Sequence, residues 1–209
     1  MKAAFCVSGR GALFRAAVSH AEEIGIQPTL LVTETKSSAD LDGFARERGV
    51  AQVRLDPGAR DRFDLDLTAA LMEAQVDLIA LTFDHILPPG LVRAYERRII
   101  NVHPSLLPAF TGMRAIERTL ESGARFGGAT VHEVIEAVDA GPIIAQVAVP
   151  TIPGESLDDY GRRMYAQLEP MFLDVLRWYA EGRIDHDAAG RVTVRGATYG
   201  VLPVSPTQE

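Results

Sequence analysis

Short apolar runs alternate with amphipathic stretches along the first hundred residues. Residues 2–8 are mostly apolar, and after a glycine turn Leu13, Phe14 and Ala17 recur at helical spacing. This alternation is typical of a parallel, doubly wound α/β sheet. The predicted strands are 2–8, 28–34, 51–55, 77–82 and 99–103, and the predicted helices are 12–24, 39–48, 60–75, 88–97 and 113–122.

The pattern changes after residue 127. Residues 128–135 and 143–152 are rich in β-branched residues, which predicts antiparallel additions to the sheet. A capping pattern at Ser156 opens a long helix with an apolar stripe, and Gly182 ends it. A last strand is predicted at 191–195, and no repeat or linker is visible, so one domain over residues 1–209 is expected.

Composition narrows the class of protein. A chain of 209 residues that is 47% hydrophobic can bury a sizeable core. The net charge of -7 argues against a nucleic-acid partner, and no apolar run is long enough for a membrane span or a signal peptide. A single cysteine, Cys6, excludes an internal disulfide and a multi-cysteine zinc site. These features favour the cytoplasm.

Asn101 and His103 are the sharpest candidates for chemistry. Two residues apart on a strand, they point to the same face at the end of a parallel strand, where open α/β sheets bind ligands. An amide and an imidazole side by side suit a carbonyl that becomes an oxyanion. The alternative is two polar residues that only bond the backbone.

Two turns are further candidates. Asp139 lies between two β-rich segments and would be useful near His103, although Asp-Ala-Gly is also common turn chemistry. Ser8-Gly9-Arg10-Gly11 joins the first strand to its helix, which is the expected place for an anion, although a tight turn explains it equally well.

A family resemblance covers most of the chain. Residues 101–108 read Asn-Val-His-Pro-Ser-Leu-Leu-Pro, with Phe110 and Gly112 after them, and resemble the signature of the 10-formyltetrahydrofolate-dependent formyltransferases. The resemblance continues through 128–132 and 139–144, and it is closest to the phosphoribosylglycinamide formyltransferases. It implies a single-domain, Rossmann-like fold whose acceptor side lies in residues 1–100 and whose catalytic and folate loops lie in residues 101–209.

The resemblance also implies residue roles. Asn101 would donate to the formyl oxygen, His103 would stabilise the oxyanion, and Asp139 would position a water, hold His103 and assist loss of the amine proton. The co-substrate would be 10-formyltetrahydrofolate, with no metal and no covalent enzyme intermediate. The residues assigned to the folate are Phe83, His85, Ile86, Leu87, His132, Val138 and Ala140. Those assigned to the acceptor are Gly9, Arg10, Gly11, Ala12, Leu13 and Leu168.

The chain departs from the purine-type pattern at the acceptor positions. Ala12 and Leu13 replace a Ser and an Asn that seat the substrate phosphate, and Leu168 replaces a Glu that holds ribose hydroxyls. Unpaired hydroxyls would weaken glycinamide ribonucleotide as the acceptor, so a different small amine is expected. Asp84 and His85 also depart, and an acid there would either bind a cationic acceptor or face solvent.

Three alternatives remain from the sequence. They are phosphoribosylglycinamide formyltransferase itself, a 10-formyltetrahydrofolate hydrolase, and a non-catalytic folate-binding protein. The length and acidity argue against a tRNA-acting relative. The expected partners are a small-molecule amine and folate, with no nucleic acid and no membrane, for a monomer or homodimer. His20 and His186 are expected at the surface.

Overall fold

The computed structural model describes residues 1–200 and 204–205, and the chain divides into two compact units, Met1–Asn101 and Val102–Glu209. The helices are α1 (Ala12–Ser19), α2 (Asp40–Glu47), α3 (Arg60–Ala74), α4 (Pro89–Ala94), α5 (Ala115–Glu121) and α6 (Leu157–Ala180). The strands are β1 (Lys2–Val7), β2 (Gln27–Glu34), β3 (Ala51–Leu55), β4 (Leu78–Thr82), β5 (Ile99–His103), β6 (Phe126–Glu133), β7 (Ile143–Pro150), β8 (Ile184–His186), β9 (Val192–Val194) and β10 (Val204–Ser205).

The first unit is a parallel sheet in the order β3-β2-β1-β4-β5. Its central strand β1 is apolar on both faces, and residues 3–7 are at most 2% exposed. A strand buried on both faces needs a continuous apolar run rather than an alternating one. Because β1, β2 and β4 are parallel, their carboxyl ends lie along one edge of the sheet. The chain continues from this edge into the segments around Gly9, Thr35 and Phe83.

The second unit is built on the antiparallel pair β6 and β7, and β10 pairs antiparallel with β7. The helix α6 packs against both β6 and β7. It begins at Ser156, whose Oγ accepts a hydrogen bond from the Asp159 amide at 3.1 Å. Its predicted apolar stripe is buried, and the buried residues are Tyr160, Met164, Leu168, Met171, Phe172, Val175, Leu176 and Trp178.

The fold class predicted from the alternation is confirmed: the sheet is mostly parallel, with antiparallel additions in the second half of the chain. The prediction of a single domain stays a prediction. The helix predicted over 12–24 ends at Ser19, because residues 20–25 form turns that close with the Ile26 amide bonding the Ala21 carbonyl. Strands β8 and β10 were not predicted, since two or three residues carry no measurable periodicity.

Within residues 1–200 and 204–205, no helix combines the length and the hydrophobicity that crossing a bilayer requires.

Candidate active site

His103 ends strand β5 with hydrogen-bond acceptors opposite both of its ring nitrogens. It is 5% exposed, and Nε2 lies 2.9 Å from the Phe110 carbonyl oxygen. Nδ1 lies 3.5 Å from Asp139 Oδ2. Each ring nitrogen thus faces an oxygen that can accept a hydrogen bond from it. Asn101, two residues earlier, points to the same side of the strand.

The Asp139 carboxylate is held in place by the turn that carries it. The residue adopts a left-handed conformation with φ of 52°, which aspartate tolerates better than most residues. Its side chain is 8% exposed, and Oδ2 accepts a hydrogen bond from the Gly112 amide at 2.7 Å. Oδ1 lies 3.8 Å from His132 Nε2. The carboxylate thus lies between two imidazoles.

His132 presents an unprotonated nitrogen toward Asp139. The residue is 2% exposed, and Nδ1 donates to the Glu133 carbonyl oxygen at 2.8 Å. Burial lowers the pKa of His132 below its usual value, and the nearby His103 acts in the same direction against Asp139 and the Glu133 bond. A neutral ring with its proton on Nδ1 leaves Nε2 as an acceptor. His132 Nε2 and Asp139 Oδ1 can therefore share one donor, such as a water or an amine.

A close backbone approach explains the glycine at position 141, two residues after Asp139. A Cβ at Gly141 would lie 1.8 Å from the Glu133 carbonyl oxygen and 3.5 Å from His132 Nδ1. Any side chain there would displace the acceptor that holds the His132 ring. The packing of this site thus requires a glycine at position 141, beyond its use in a turn.

The loop after His103 is anchored by residues that the sequence patterns did not single out. Thr130 Oγ1 donates to the Ser105 carbonyl at 2.7 Å and accepts from the Leu107 amide at 3.1 Å. Gln146 Nε2 donates to the Leu107 carbonyl at 2.9 Å. Thr130 and His132 are two residues apart on β6 and therefore share a face, so strand periodicity was the signal that could have grouped them. This network holds the loop that carries the Phe110 carbonyl and the Gly112 amide near the catalytic groups.

A second cluster lies behind His132. Glu133 is 2% exposed and accepts hydrogen bonds from Tyr179 Oη at 2.9 Å and from His186 Nε2 at 3.0 Å. The prediction that His186 is a surface residue is therefore wrong, because its side chain is 14% exposed and pairs with a buried carboxylate. The unpredicted strand β8 is what brings it there. His20 is exposed, as expected.

The glycine turn of the first unit leaves only part of the predicted acceptor site accessible. Gly9 and Gly11 have φ of 90° and 66°, and a Cβ at Gly11 would lie 2.6 Å from a Leu41 methyl. Arg10 and Ala12 are exposed. Leu13 is 3% exposed, so its assignment to the acceptor is corrected: the side chain belongs to the apolar face of α1.

The 83–87 loop of the first unit carries four residues assigned to the folate. The His85 ring packs 4.7 Å from the Phe63 ring and 4.8 Å from the Phe83 ring, centroid to centroid. Ile86 is 62% exposed, whereas Leu87 is 5% exposed and is available only through its backbone. The loop therefore offers an exposed apolar side chain and backbone groups on an aromatic support.

The folate and acceptor residues of the second unit differ in exposure. Val138 is exposed and Ala140 is exposed, and both flank Asp139, which suits contact with an apolar ring system. Leu168 is 0% exposed, so its assignment to the acceptor is also corrected: it is a core residue of α6. Its neighbours Gln167 and Glu169 are exposed.

Across the described residues, 1–200 and 204–205, no group of three or more His, Cys, Asp or Glu side chains is arranged to hold a metal ion. In the second unit the structure brings together three of the predicted residues, His103, His132 and Asp139.

Comparisons with known proteins identify the family of this arrangement. Residues 1–176 match the family model described as formyl transferase. Phosphoribosylglycinamide formyltransferase of Escherichia coli is 33% identical over 184 residues, which is 85% of this chain and 86% of that protein. The crystal structure of glycinamide ribonucleotide transformylase 1 from Symbiobacterium toebii is 33% identical with a TM-score of 0.85, covering 93% of both chains. A formyltetrahydrofolate deformylase structure from Pseudomonas syringae is 26% identical with a TM-score of 0.82, covering 92% of this chain and 65% of that one.

Proposed function

Because the chain belongs to the formyl transferase family, we propose that it transfers the formyl group of 10-formyltetrahydrofolate to the amino group of glycinamide ribonucleotide. Relatives that match nearly their full length carry this activity in their names, which supports the acceptor. The observation that carries the chemistry is the His103 ring with acceptors at both nitrogens, beside a carboxylate held by the Gly112 amide.

His103 and Asn101 stabilise the oxyanion. Attack of the amine nitrogen on the formyl carbon forms a C–N bond and moves negative charge onto the formyl oxygen. An imidazole donor and an amide donor on one strand face are preorganised for that charge. Asp139 lies opposite Nδ1, at 3.5 Å from it, and can stabilise positive charge that develops on the ring.

Asp139 and His132 manage the amine proton. The attacking amine must lose a proton, and folate N10 must gain one when its bond to the formyl carbon breaks. Asp139 Oδ1 and His132 Nε2 are acceptors 3.8 Å apart, which suits a shared water or the amine itself. The proton then passes through this pair to the leaving nitrogen. Asp139 and His132 end the reaction in the protonation states in which they began it.

The folate is recognised mostly through apolar contact and backbone. We carry over the residues that the family resemblance implies, which are Phe83, His85, Ile86, Leu87, His132, Val138 and Ala140. Ile86 and Val138 are more than half exposed, which supports their assignment to an apolar ring system.

The expectation of a different acceptor is not supported. It depended on Ala12, Leu13 and Leu168 replacing polar contacts of the acceptor, but Leu13 and Leu168 are buried core side chains, which corrects two of these three positions. The backbone amides of the Gly9–Gly11 turn remain available to a phosphate. We assign the ribose hydroxyls to the exposed neighbours Gln167 and Glu169.

An acceptor panel tests the proposal. Purified protein is assayed with a 10-formyl folate analogue and glycinamide ribonucleotide, amino sugars, small cationic amines, or water alone. Preference for glycinamide ribonucleotide by at least about a hundredfold in kcat/KM is expected. Equal formyl release with water alone would instead identify a hydrolase, the activity named for the Pseudomonas syringae relative. Preference for another amine would refute the proposed acceptor.

A further inference from the structure

We propose that Glu34, acting through His85, is a positioning residue that holds the 83–87 loop in the arrangement that binds folate. The proposal rests on the folate site of the proposed function. It concerns a cluster in the first unit that the catalytic steps do not use, formed by Ser8, Glu34 and His85 and called here the edge cluster. Its members follow or end strands β1, β2 and β4.

Glu34 is a buried carboxylate with one oxygen unpaired. The residue ends β2 and is 0% exposed. Oε2 accepts hydrogen bonds from the Lys36 amide at 2.9 Å and from the Thr35 hydroxyl at 3.3 Å, but Oε1 is buried with no hydrogen-bond partner. A buried carboxylate oxygen without a hydrogen-bond partner costs folding free energy, so its presence calls for an explanation.

The Glu34 side chain is anionic despite its burial. Burial raises the pKa of Glu34, but the Lys36 amide, the Ser8 hydroxyl and the charge of His85 outweigh it and bring the pKa below its usual value. Glu34 and the 83–87 loop flank the end of β1, because Val7 pairs with Thr33 of β2 on one side and with Thr82 of β4 on the other.

His85 carries the complementary unpaired atom. Its Nε2 is buried without a hydrogen-bond partner, while its ring is fixed between Phe63 and Phe83. An imidazole N–H is a donor and the Glu34 oxygen is an acceptor, so one water between them would give both atoms a partner.

Ser8 joins the same pair to the loop backbone, because its Oγ accepts a hydrogen bond from the Asp84 amide at 3.1 Å. A second hydrogen bond, outside the edge cluster, runs from the Arg60 side chain to the Ile86 carbonyl at 2.5 Å. Both hydrogen bonds fix the position of backbone groups in the 83–87 loop, and these are the groups to which the folate is assigned. A small rotation at His85 therefore moves the groups that the ligand contacts.

The test measures folate affinity directly, without the acceptor. Glu34→Gln keeps the shape and removes the charge, and His85→Phe keeps the ring packing and removes the N–H. We expect each to weaken the Kd of a 10-formyl folate analogue about tenfold, and we expect Glu34→Gln to leave kcat and the acceptor KM within about threefold of the unsubstituted protein. The double variant is expected to bind no worse than either single variant, since both remove the same interaction.

Three further variants separate positioning from folding. His85→Gln restores a donor and should recover most of the affinity, whereas Glu73→Gln, the same change on an exposed residue of α3, should leave it unchanged. Ser8→Ala removes the backbone tie and serves if Glu34→Gln does not fold. Additive losses, unchanged folate affinity, or an equal loss in acceptor KM would overturn the positioning role. No folate binding by the unsubstituted protein would overturn the proposed function and this inference together, whereas normal folate binding with a different acceptor would overturn only the former.

Discussion

The Asp139→Asn substitution tests the electrostatic core of the site, because it removes a charge while keeping the side-chain shape. Asp139 Oδ2 lies 3.5 Å from His103 Nδ1, and both side chains are under one-tenth exposed. With an effective dielectric constant of about 20, the Asp139 carboxylate would attract a unit positive charge that develops on His103 during the reaction by about 5 kcal/mol. At about 1.4 kcal/mol per factor of ten, this interaction bounds the loss of rate at a few thousandfold. We expect kcat to fall by about 1,000-fold, within the range usual for a positioned acid–base group.

The assay is formyl transfer from a 10-formyl folate analogue under single-turnover conditions, together with the Kd of the analogue. Asp158→Asn is the matched control, since Asp158 is exposed in the first turn of α6. The amide oxygen that the Asp139→Asn substitution introduces can still accept the hydrogen bond from the Gly112 amide, so the Kd for folate should change less than about threefold. A folded variant whose kcat stays within about fivefold of the unsubstituted protein would refute the assignment of Asp139.

Three further outcomes follow from the packing around the site. Gly141→Ala should abolish activity and lower the melting temperature, because the added Cβ would meet the Glu133 carbonyl. Gly161→Ala, which adds a Cβ in open space on α6, should raise the unfolding free energy by about 0.5–1 kcal/mol. Calorimetry of the two variants measures both changes. The pKa of His132 is lowered, so its contribution to stability is present above the unfolded value of about 6.5 and is lost as the pH falls below that value. In urea unfolding, the His132→Asn variant should therefore lose less unfolding free energy on acidification than the unsubstituted protein. An equal dependence of unfolding free energy on pH in the two proteins would contradict this. Leu168→Ala should cost about 2–5 kcal/mol of unfolding free energy with an unchanged acceptor KM, and a raised KM in a stable variant would return Leu168 to the acceptor site.

Strand and helix periodicity predicted the sheet and most element positions, because each depends on neighbouring residues in the chain. Asn101 and His103 were grouped for the same reason: two positions on one strand share a face whatever surrounds them. Asp139 and His103 are far apart in the chain, and only the family resemblance joined them before the structure placed them 3.5 Å apart. Leu168 shows the limit of transferring positions, because it occupies the apolar stripe that its own helix predicts.

The amino-acid sequence alone determined the α/β architecture, the family and the types of groups available for chemistry, since these depend on periodicity and on local motifs. Tertiary structure decided which atoms those groups present. The Glu133 carbonyl sets the proton of His132 on Nδ1, and the Phe110 carbonyl and Asp139 face the two nitrogens of His103. Burial removed Leu13 and Leu168 from the acceptor site and left Glu34 and His85 with unpaired atoms. Hydrogen-bond partners and burial arise from residues distant in the chain, so no local pattern can specify them.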